Sequence, residues 1–563
     1  MWRNSGKKTL SLVLTASILF GTVGLTGCGT SEKEKEPVTL EVYSMLANYS
    51  GVQTGWIADI LKEKFGIKLD IIPQGNNEFE TRQAAGNLGD IIVFGGNSDQ
   101  YAAAVRDGLL YDWDQGNLLS KEGSYIKEHM QDALEKNRTL TSTITDGQSD
   151  VLYGFGHDVA TSKEDHSSFF YTWDLRWDVY KELGYPVVKD LEDYEKLMVD
   201  MCKQCPTNDE GQPTYAVSIW PDWDDAMVMY VKSTATAYYG YDELGIGLYD
   251  PDTGDFHGAL EENGPYLEML KFYNKLYQDG ILDPESVSQD YKMSTAKVKS
   301  GTTMFSIFDY AGRAGYNQSK HTEKGKIMLS MRPEDASPLA YGMNTAGGER
   351  IWTIGSQTKY PELCMRLLNW LCTPEGRLTV EYGPKDLCWK YDKQKNTSLT
   401  ELGLQCRKSS DTKIGNGYKG NFGDGILKIA NTTWALDSEN PESNGETYNY
   451  LTWKKTSESS ASEIEKDWQE HAGYANAEEY LNAGKHKISG EYTMAEKPDN
   501  VKAVWKKVTT KLRDYSWKAI YATSDKEYDV IVDEMLRECK EEGYETCASW
   551  CNEEAKNRYA DSK

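Results

Sequence analysis

Val38-Thr39-Leu40-Glu41-Val42-Tyr43 and, further on, Asp90-Ile91-Ile92-Val93-Phe94-Gly95-Gly96 bracket the stretch that decides the fold. The first run alternates apolar and polar side chains, as a strand with two unlike faces does. Between the two runs, Ile57, Ile60, Leu61 and Phe65 fall on one face of a helix that Gly66 stops. Ile67-Lys68-Leu69-Asp70-Ile71 alternates again, and Glu78 to Leu88 reads as a polar helix. The closing run is short and continuously apolar, which predicts a strand covered on both faces. Strand, helix, strand, helix, strand is the order of a parallel sheet with helices packed against it.

The pattern restarts downstream. Ser168 to Tyr171 reads as a strand leading into a helix over Asp178–Leu183, closed by Gly184 and Pro186. Asp190–Lys203 is a further helix and Tyr215–Ile219 a further strand. Tyr266, Met269, Leu270, Tyr273, Leu276 and Tyr277 make one apolar stripe ended by Gly280, and Thr302–Phe308 is another strand. These predict a second α/β lobe. Pro361–Cys372 is helical, and Thr373-Pro374-Glu375 supplies an N-cap and a first-turn proline for the next helix. Residues 408–500 are rich in Gly, Asn, Ser and Glu and carry little periodicity, whereas Tyr528, Ile531, Val532, Met535 and Leu536 mark a C-terminal helical section.

Arg3, Lys7 and Lys8 precede an uncharged run from Leu10 to Leu25, shorter than the roughly 20 residues that span a bilayer. That is the layout of an export signal over 1–27. Leu25-Thr26-Gly27-Cys28 resembles the lipobox of bacterial lipoproteins, which implies lipidation of Cys28. Two or more acyl chains anchor a protein durably, and the small, mixed-charge segment 28–37 reads as its tether. Removing the three basic residues of 1–27 takes the net charge from −26 to −29. An acidic body of this kind repels phosphate backbones, so nucleic acid is excluded as a partner. A chain of this length exceeds what one core supports, and at least two lobes are expected.

Of ten cysteines, Cys28 is assigned to the anchor, leaving an odd number. Cys202 and Cys205 form a lone CxxC with no second pair and no nearby His, which does not make a zinc site. Cys364, Cys372, Cys547 and Cys551 fall within helical patterns and read as small core residues.

In this order the residues resemble the family 1 extracellular solute-binding proteins of ABC importers, above all the long lipoproteins of Gram-positive bacteria. The matching pieces are Gly89-Asp90-Ile91-Ile92, Asp107-Gly108-Leu109-Leu110-Tyr111-Asp112, Leu152-Tyr153-Gly154-Phe155 and Trp173-Asp174-Leu175-Arg176-Trp177-Asp178. They continue with Leu276-Tyr277-Gln278-Asp279-Gly280-Ile281-Leu282-Asp283-Pro284, Tyr360-Pro361-Glu362, Asn369-Trp370-Leu371, Pro374-Glu375-Gly376 and Tyr382-Gly383. The resemblance implies a periplasmic-binding-protein-like α/β fold: two lobes joined by a hinge, with the ligand in the cleft between them. By analogy one lobe takes 38–156 with 345–430, and the other 157–344 with 431–563. Such proteins close around a ligand that touches both lobes only when shut. A monomer that hands its carbohydrate to ABC permease subunits at the outer face of the cytoplasmic membrane is implied, with no cofactor. Many long relatives carry an acidic calcium loop before the strand equivalent to Tyr215–Ser218. Here Cys205–Thr214 offers only Asp209 and Glu210 as charged oxygens, and no calcium is expected.

Sugars present apolar C–H faces and a rim of hydroxyls, so their sites combine flat aromatic rings with hydrogen-bonding side chains. Tyr (37) and Trp (16) far outnumber Phe (12), a bias toward amphipathic rings. In open parallel sheets, ligands sit beyond the carboxyl ends of strands. Tyr43 and Asn48 after the first strand, Asn97 and Asp99 after Gly95-Gly96, and Asp309 after Phe308 are therefore candidate contacts. So are Trp220, Trp223 and Asp224 in Trp220-Pro221-Asp222-Trp223-Asp224, with Trp173 and Trp352 near expected lobe crossings.

The competing class is a surface glycan hydrolase, which needs two opposed carboxylates. Asp112/Asp114 and Asp222/Asp224 are such pairs, but 88 acidic residues produce them by chance. No nucleophile elbow, metal-binding His pair or phosphate-cradling Gly loop is present, and the seven His are scattered. A sensor, adhesin or peptide binder on the same fold is the third class.

Overall fold

The alternation at Val38–Ser44 holds at its start, where Leu40 and Val42 are buried and Thr39 is exposed, and only at Tyr43 does the second face become buried as well. A computed structural model describes residues 36–75, 77–96 and 98–562; the export signal 1–27, Cys28, most of the 28–37 tether and Asn97 lie outside the described residues. Strand β1 (Val38–Ser44) pairs in parallel with β3 (Ile67–Pro73) and β4 (Ile91–Val93). The short β2 (Gly51–Val52) edges β3. On the other flank, β4 pairs with the antiparallel Trp352–Ile354 strand, which in turn pairs with β5 (Gly154–Phe155). Leu40, Val42, Ile91 and Val93 face the helix Gly55–Phe65, which buries Trp56, Ile57, Ile60 and Leu61. Tyr43, Ile92 and Phe94 face the other way, onto Phe79 and Tyr101 of the next two helices. Gly66, at φ 65°, ends the first helix in the left-handed region that glycine tolerates without strain.

The second sheet centres on β6 (Tyr171–Arg176), with β7 (Phe305–Phe308) and β8 (Met328–Ser330) antiparallel on either side. Tyr215 and Val217 join by isolated parallel bridges to Thr303 and Leu282, so the expected strand Tyr215–Ile219 is two bridges rather than a continuous ladder. The register slips between Ser306 and Phe308, and Trp173 opposite the slip has φ 51°. A bulge of this kind usually places glycine there. A tryptophan held in the left-handed region is strained by about 1–2 kcal/mol, offset by an indole that is fully buried.

Two large apolar cores accompany the two sheets, besides the smaller cluster around Tyr43, Ile92 and Phe94. The first runs from Leu40 to Trp453 and includes Cys364 and Cys372. The second joins Tyr171–Leu339 to the C-terminal helices Asp499–Ile520, Asp525–Glu541 and Tyr544–Asp561, with Cys547 and Cys551 inside it. All nine described cysteines are unpaired. Trp434, Tyr448 and Trp453, from a segment expected with the second lobe, pack in the first core. The break in packing therefore falls after about residue 453, since Trp468 lies in the second core.

The chain crosses between the cores at three places, and the first two brace each other. Val159 bridges to Trp434, Ala160 N–H donates to Asn344 (3.0 Å), Ser167 N–H to Tyr341 (2.8 Å) and Met343 N–H to Asp165 (3.0 Å). Buried Asp165 accepts from the Thr161 and Ser162 amides and from the Thr161 hydroxyl, which fixes the turn at the first crossing.

Candidate functional site

The end of the second sheet where Tyr215–Ile219 and β7 finish is also where β6 begins, because β6 runs antiparallel to β7. Four rings gather there. Phe170 precedes β6, Tyr310 follows β7, Trp223 follows the Tyr215–Ile219 segment, and Tyr291 opens the helix Tyr291–Ser300. Tyr310 lies 5.3 Å from Phe170 and 6.0 Å from Trp223 between ring centroids, and Trp223 lies 4.6 Å from Tyr291. Trp223 is 47% exposed and Phe170 40%. Tyr291 and Tyr310 are more covered, so the ledge opens mainly through Trp223 and Phe170, next to the crossing segment 157–169.

The ledge is held from behind. Asp290 caps the Tyr291 helix by accepting from the Met293 amide (2.7 Å), and Asp222 accepts from the Tyr291 amide (3.0 Å). Trp220 is buried edge-on beneath Trp223 (5.4 Å) and Tyr230 (5.0 Å). At the Phe170 end, Arg313 Nε donates to Asp309 (2.6 Å), and its backbone amide donates to Asp174 (2.9 Å). Glu478, from the segment leading to the C-terminal helices, stands 4.0 Å from the same guanidinium and accepts from the Phe169 amide. Asp174 is fully buried, also accepts from the Ser330 hydroxyl (3.1 Å), and loss of solvent pushes its carboxyl up to about 6 despite the neighbouring Arg313. Gly312 makes this possible: a Cβ there would lie 2.7 Å from Asp174 Oδ2 and 2.8 Å from the Phe308 carbonyl.

The sequence-predicted contacts divide sharply. Trp223 stands on the ledge and Asp309 at its edge, ion-paired to Arg313. Asn48 and Asp99 are exposed beyond the strands of the first sheet. Tyr43 is not at a surface: its ring is buried, its hydroxyl donates to Gln74, and Arg82 covers its face. Trp173 and Trp352 are core residues whose indole N–H groups donate to the carbonyls of Ala237 (2.9 Å) and Thr432 (2.7 Å). Trp220 is likewise buried. Asp224 is spent on structure, accepting from the Met229 amide (2.8 Å) and from Trp517 of the C-terminal helix Asp499–Ile520 (2.7 Å). Phe170, Tyr291 and Tyr310 escaped sequence reasoning, although Tyr310 directly follows Asp309 and carries the same end-of-strand signal.

Asp209 in the loop compared with calcium sites is ion-paired to Lys324 (2.8 Å) and Lys326, which hold its carboxyl well below the usual range. Among the described residues no group of three or more His, Cys, Asp or Glu is disposed to hold a metal ion. Nor is any described helix long and apolar enough to cross a membrane. A concavity of about 840 Å³ lies among the helices Leu191–Gln204, Pro265–Gln278 and Asp525–Glu541. Its walls mix charged side chains, such as the Lys275–Glu195 pair, with apolar ones such as Leu267 and Phe272.

The sequence profile of the bacterial extracellular solute-binding proteins matches residues 56–380, more than half of the chain. The chain belongs to that family. No curated protein matches it significantly in sequence. Similar solved structures include an extracellular solute-binding protein from Bifidobacterium longum subsp. infantis, 12% identical, with 93% of this chain and 98% of that one aligned at a TM-score of 0.48. Others are the N-glycan transport solute-binding protein NgtS of Streptococcus pneumoniae, 15% identical over 93% and 100% at 0.45, and the ABC-transporter substrate-binding protein FusA of S. pneumoniae with kestose, 14% identical over 93% and 100% at 0.45.

Proposed function

We propose that this chain captures a carbohydrate between its two halves and delivers it, chemically unchanged, to an ABC importer. The observation that carries the reading is the aromatic ledge beside the crossing segments, where Trp223 and Phe170 are about half-exposed and Tyr310 and Tyr291 pack beside them. Exposed flat rings suit the C–H faces of sugars, and the carboxylates and guanidinium at one end suit their hydroxyls. On this reading one lobe is 38–156 with 345–453, the other is 169–338 with 462–562, and the crossings between them are the hinge. Ligand touching both lobes favours closure, because only the shut state supplies both sets of contacts. Asn48 and Asp99, at the strand ends of the first sheet, are the partner contacts from the opposite lobe. Cys28 carries the lipid that holds a monomer at the outer face of the cytoplasmic membrane, and the protein works without catalysis or cofactor.

Thermal unfolding of the purified 36–563 chain with neutral oligosaccharides, followed by chromatography of the recovered sugar, tests the proposal. A rise in Tm with intact sugar is expected. Shortened sugar points instead to a hydrolase, and no response to any oligosaccharide overturns the carbohydrate reading.

A further inference from the structure

Resting on the carbohydrate reading, we propose that Arg313 is a specificity-determining residue that selects an uncharged glycan and turns acidic ones away. A guanidinium beside a ligand ledge ordinarily suggests an anion site, since its planar fork matches a carboxylate. The surroundings here say otherwise. Three carboxylates already surround this cation: Asp309 at 2.6 Å from Nε, Asp174 at 4.0 Å and Glu478 at 4.0 Å from Nη2. Its single positive charge is more than cancelled. Asp222 and Asp290 add exposed carboxylates at the Tyr291 end, opposed there by Lys292, exposed on the same helix. A carboxylate-bearing sugar on the ledge would meet a net negative field.

The guanidinium nevertheless retains donors. Nε is used by Asp309, while Nη1 and Nη2 make no hydrogen bond to a described residue, and the side chain keeps a solvent-facing part. A donor group whose charge is compensated but whose N–H bonds are unfilled suits a neutral acceptor such as a sugar hydroxyl or ring oxygen. Asp309, partly exposed, keeps lone pairs able to accept from a sugar hydroxyl, while Glu478 is buried behind the guanidinium and contributes charge alone. Aromatic faces for the C–H surface, an over-compensated guanidinium and an accepting carboxylate together describe the recognition of a neutral polyol.

The test compares affinities by calorimetry in 0.1 M salt. The probes are malto-, cello-, xylo-, manno-, fructo- and chito-oligosaccharides on one side, and oligogalacturonate, oligoalginate and sialyllactose on the other. The best neutral probe is expected to bind at least about tenfold tighter than every acidic one, with the gap narrowing at 1 M salt as the field is screened. The paired variant Asp222→Asn/Asp309→Asn should shrink the gap by strengthening acidic binding. Arg313→Lys, which keeps the charge and loses the fork, should weaken the best neutral probe about tenfold or more while the ligand-free Tm stays near that of the parent. An acidic probe binding as tightly as the best neutral one, or an Arg313→Lys protein with unchanged neutral affinity, overturns the proposal and leaves capture of a carbohydrate standing. Silence from every probe, neutral and acidic, defeats the underlying reading instead.

Discussion

Trp223→Ala separates the ledge from the core beneath it. The side chain is 47% exposed; with Trp and its like burying about 150–250 Å² when enclosed, roughly 100 Å² of indole remains for a ligand to cover. At about 25 cal/mol per Å² that surface contributes up to about 2.5 kcal/mol to binding. Because the loss of ordering partly offsets it, affinity should fall by about 10- to 100-fold, each 1.4 kcal/mol being tenfold. The folded protein loses less, because Tyr291, Trp220 and Tyr310 keep one another as neighbours when the indole goes. Calorimetric titration of the best neutral oligosaccharide, with a parallel ligand-free melt, reads both quantities. A variant that binds like the parent would refute the ledge as the contact surface. One that fails to fold would show that Trp223 serves the core.

Three further perturbations probe the scaffold. Asp174 titrates near 6 when folded and near 3.8 when free, so the native state takes up its proton first and this group favours folding as pH falls from 6 toward 4. Above pH 6 it opposes folding by about 3 kcal/mol, at roughly 1.4 kcal/mol per unit. Asp174→Asn should therefore flatten the rise in Tm on acidification across that window, and an identical pH profile would contradict this. Gly312→Ala drives a methyl against Asp174 and the Phe308 carbonyl; a loss of about 1–3 kcal/mol in urea melts is expected, and an unchanged midpoint would mean the turn has slack. With Asp209 committed to Lys324 and Lys326, EDTA should leave the Tm of the purified protein where it was; a drop restored by calcium would reveal a site elsewhere.

Much of the first lobe was legible because β4 is buried on both faces and β1 and β3 alternate buried apolar with more exposed polar side chains, a clear record between residues 38 and 96. The second was harder. Its strand at Tyr215–Ile219 survives only as two bridges, and β6 starts three residues later than Ser168 and holds a bulge at Trp173, which no residue-type signal announces. Residues 408–500 hid their loyalty altogether: Trp434 and Trp453 are anchored to the first core by packing at long range, not by local periodicity. The site shows the same limit at closer quarters. Trp220 and Trp223 share one short motif, yet one lies under the ledge and the other upon it, a difference set by which way a loop turns after its strand. Asp224 looked like a sugar ligand until Trp517, almost three hundred residues away, claimed its carboxylate. Phe170 and Tyr310 meet only because β6 and β7 are neighbours, a pairing that sequence spacing does not encode.

Hinged capture is the centre of the account, and small-angle X-ray scattering measures it most directly. Titrating the purified chain with a neutral oligosaccharide that raises its Tm should shrink the radius of gyration and move the scattering profile toward a shut form, saturating with the bound fraction. Saturating sugar that leaves the profile unchanged would contradict closure of two halves around the ligand.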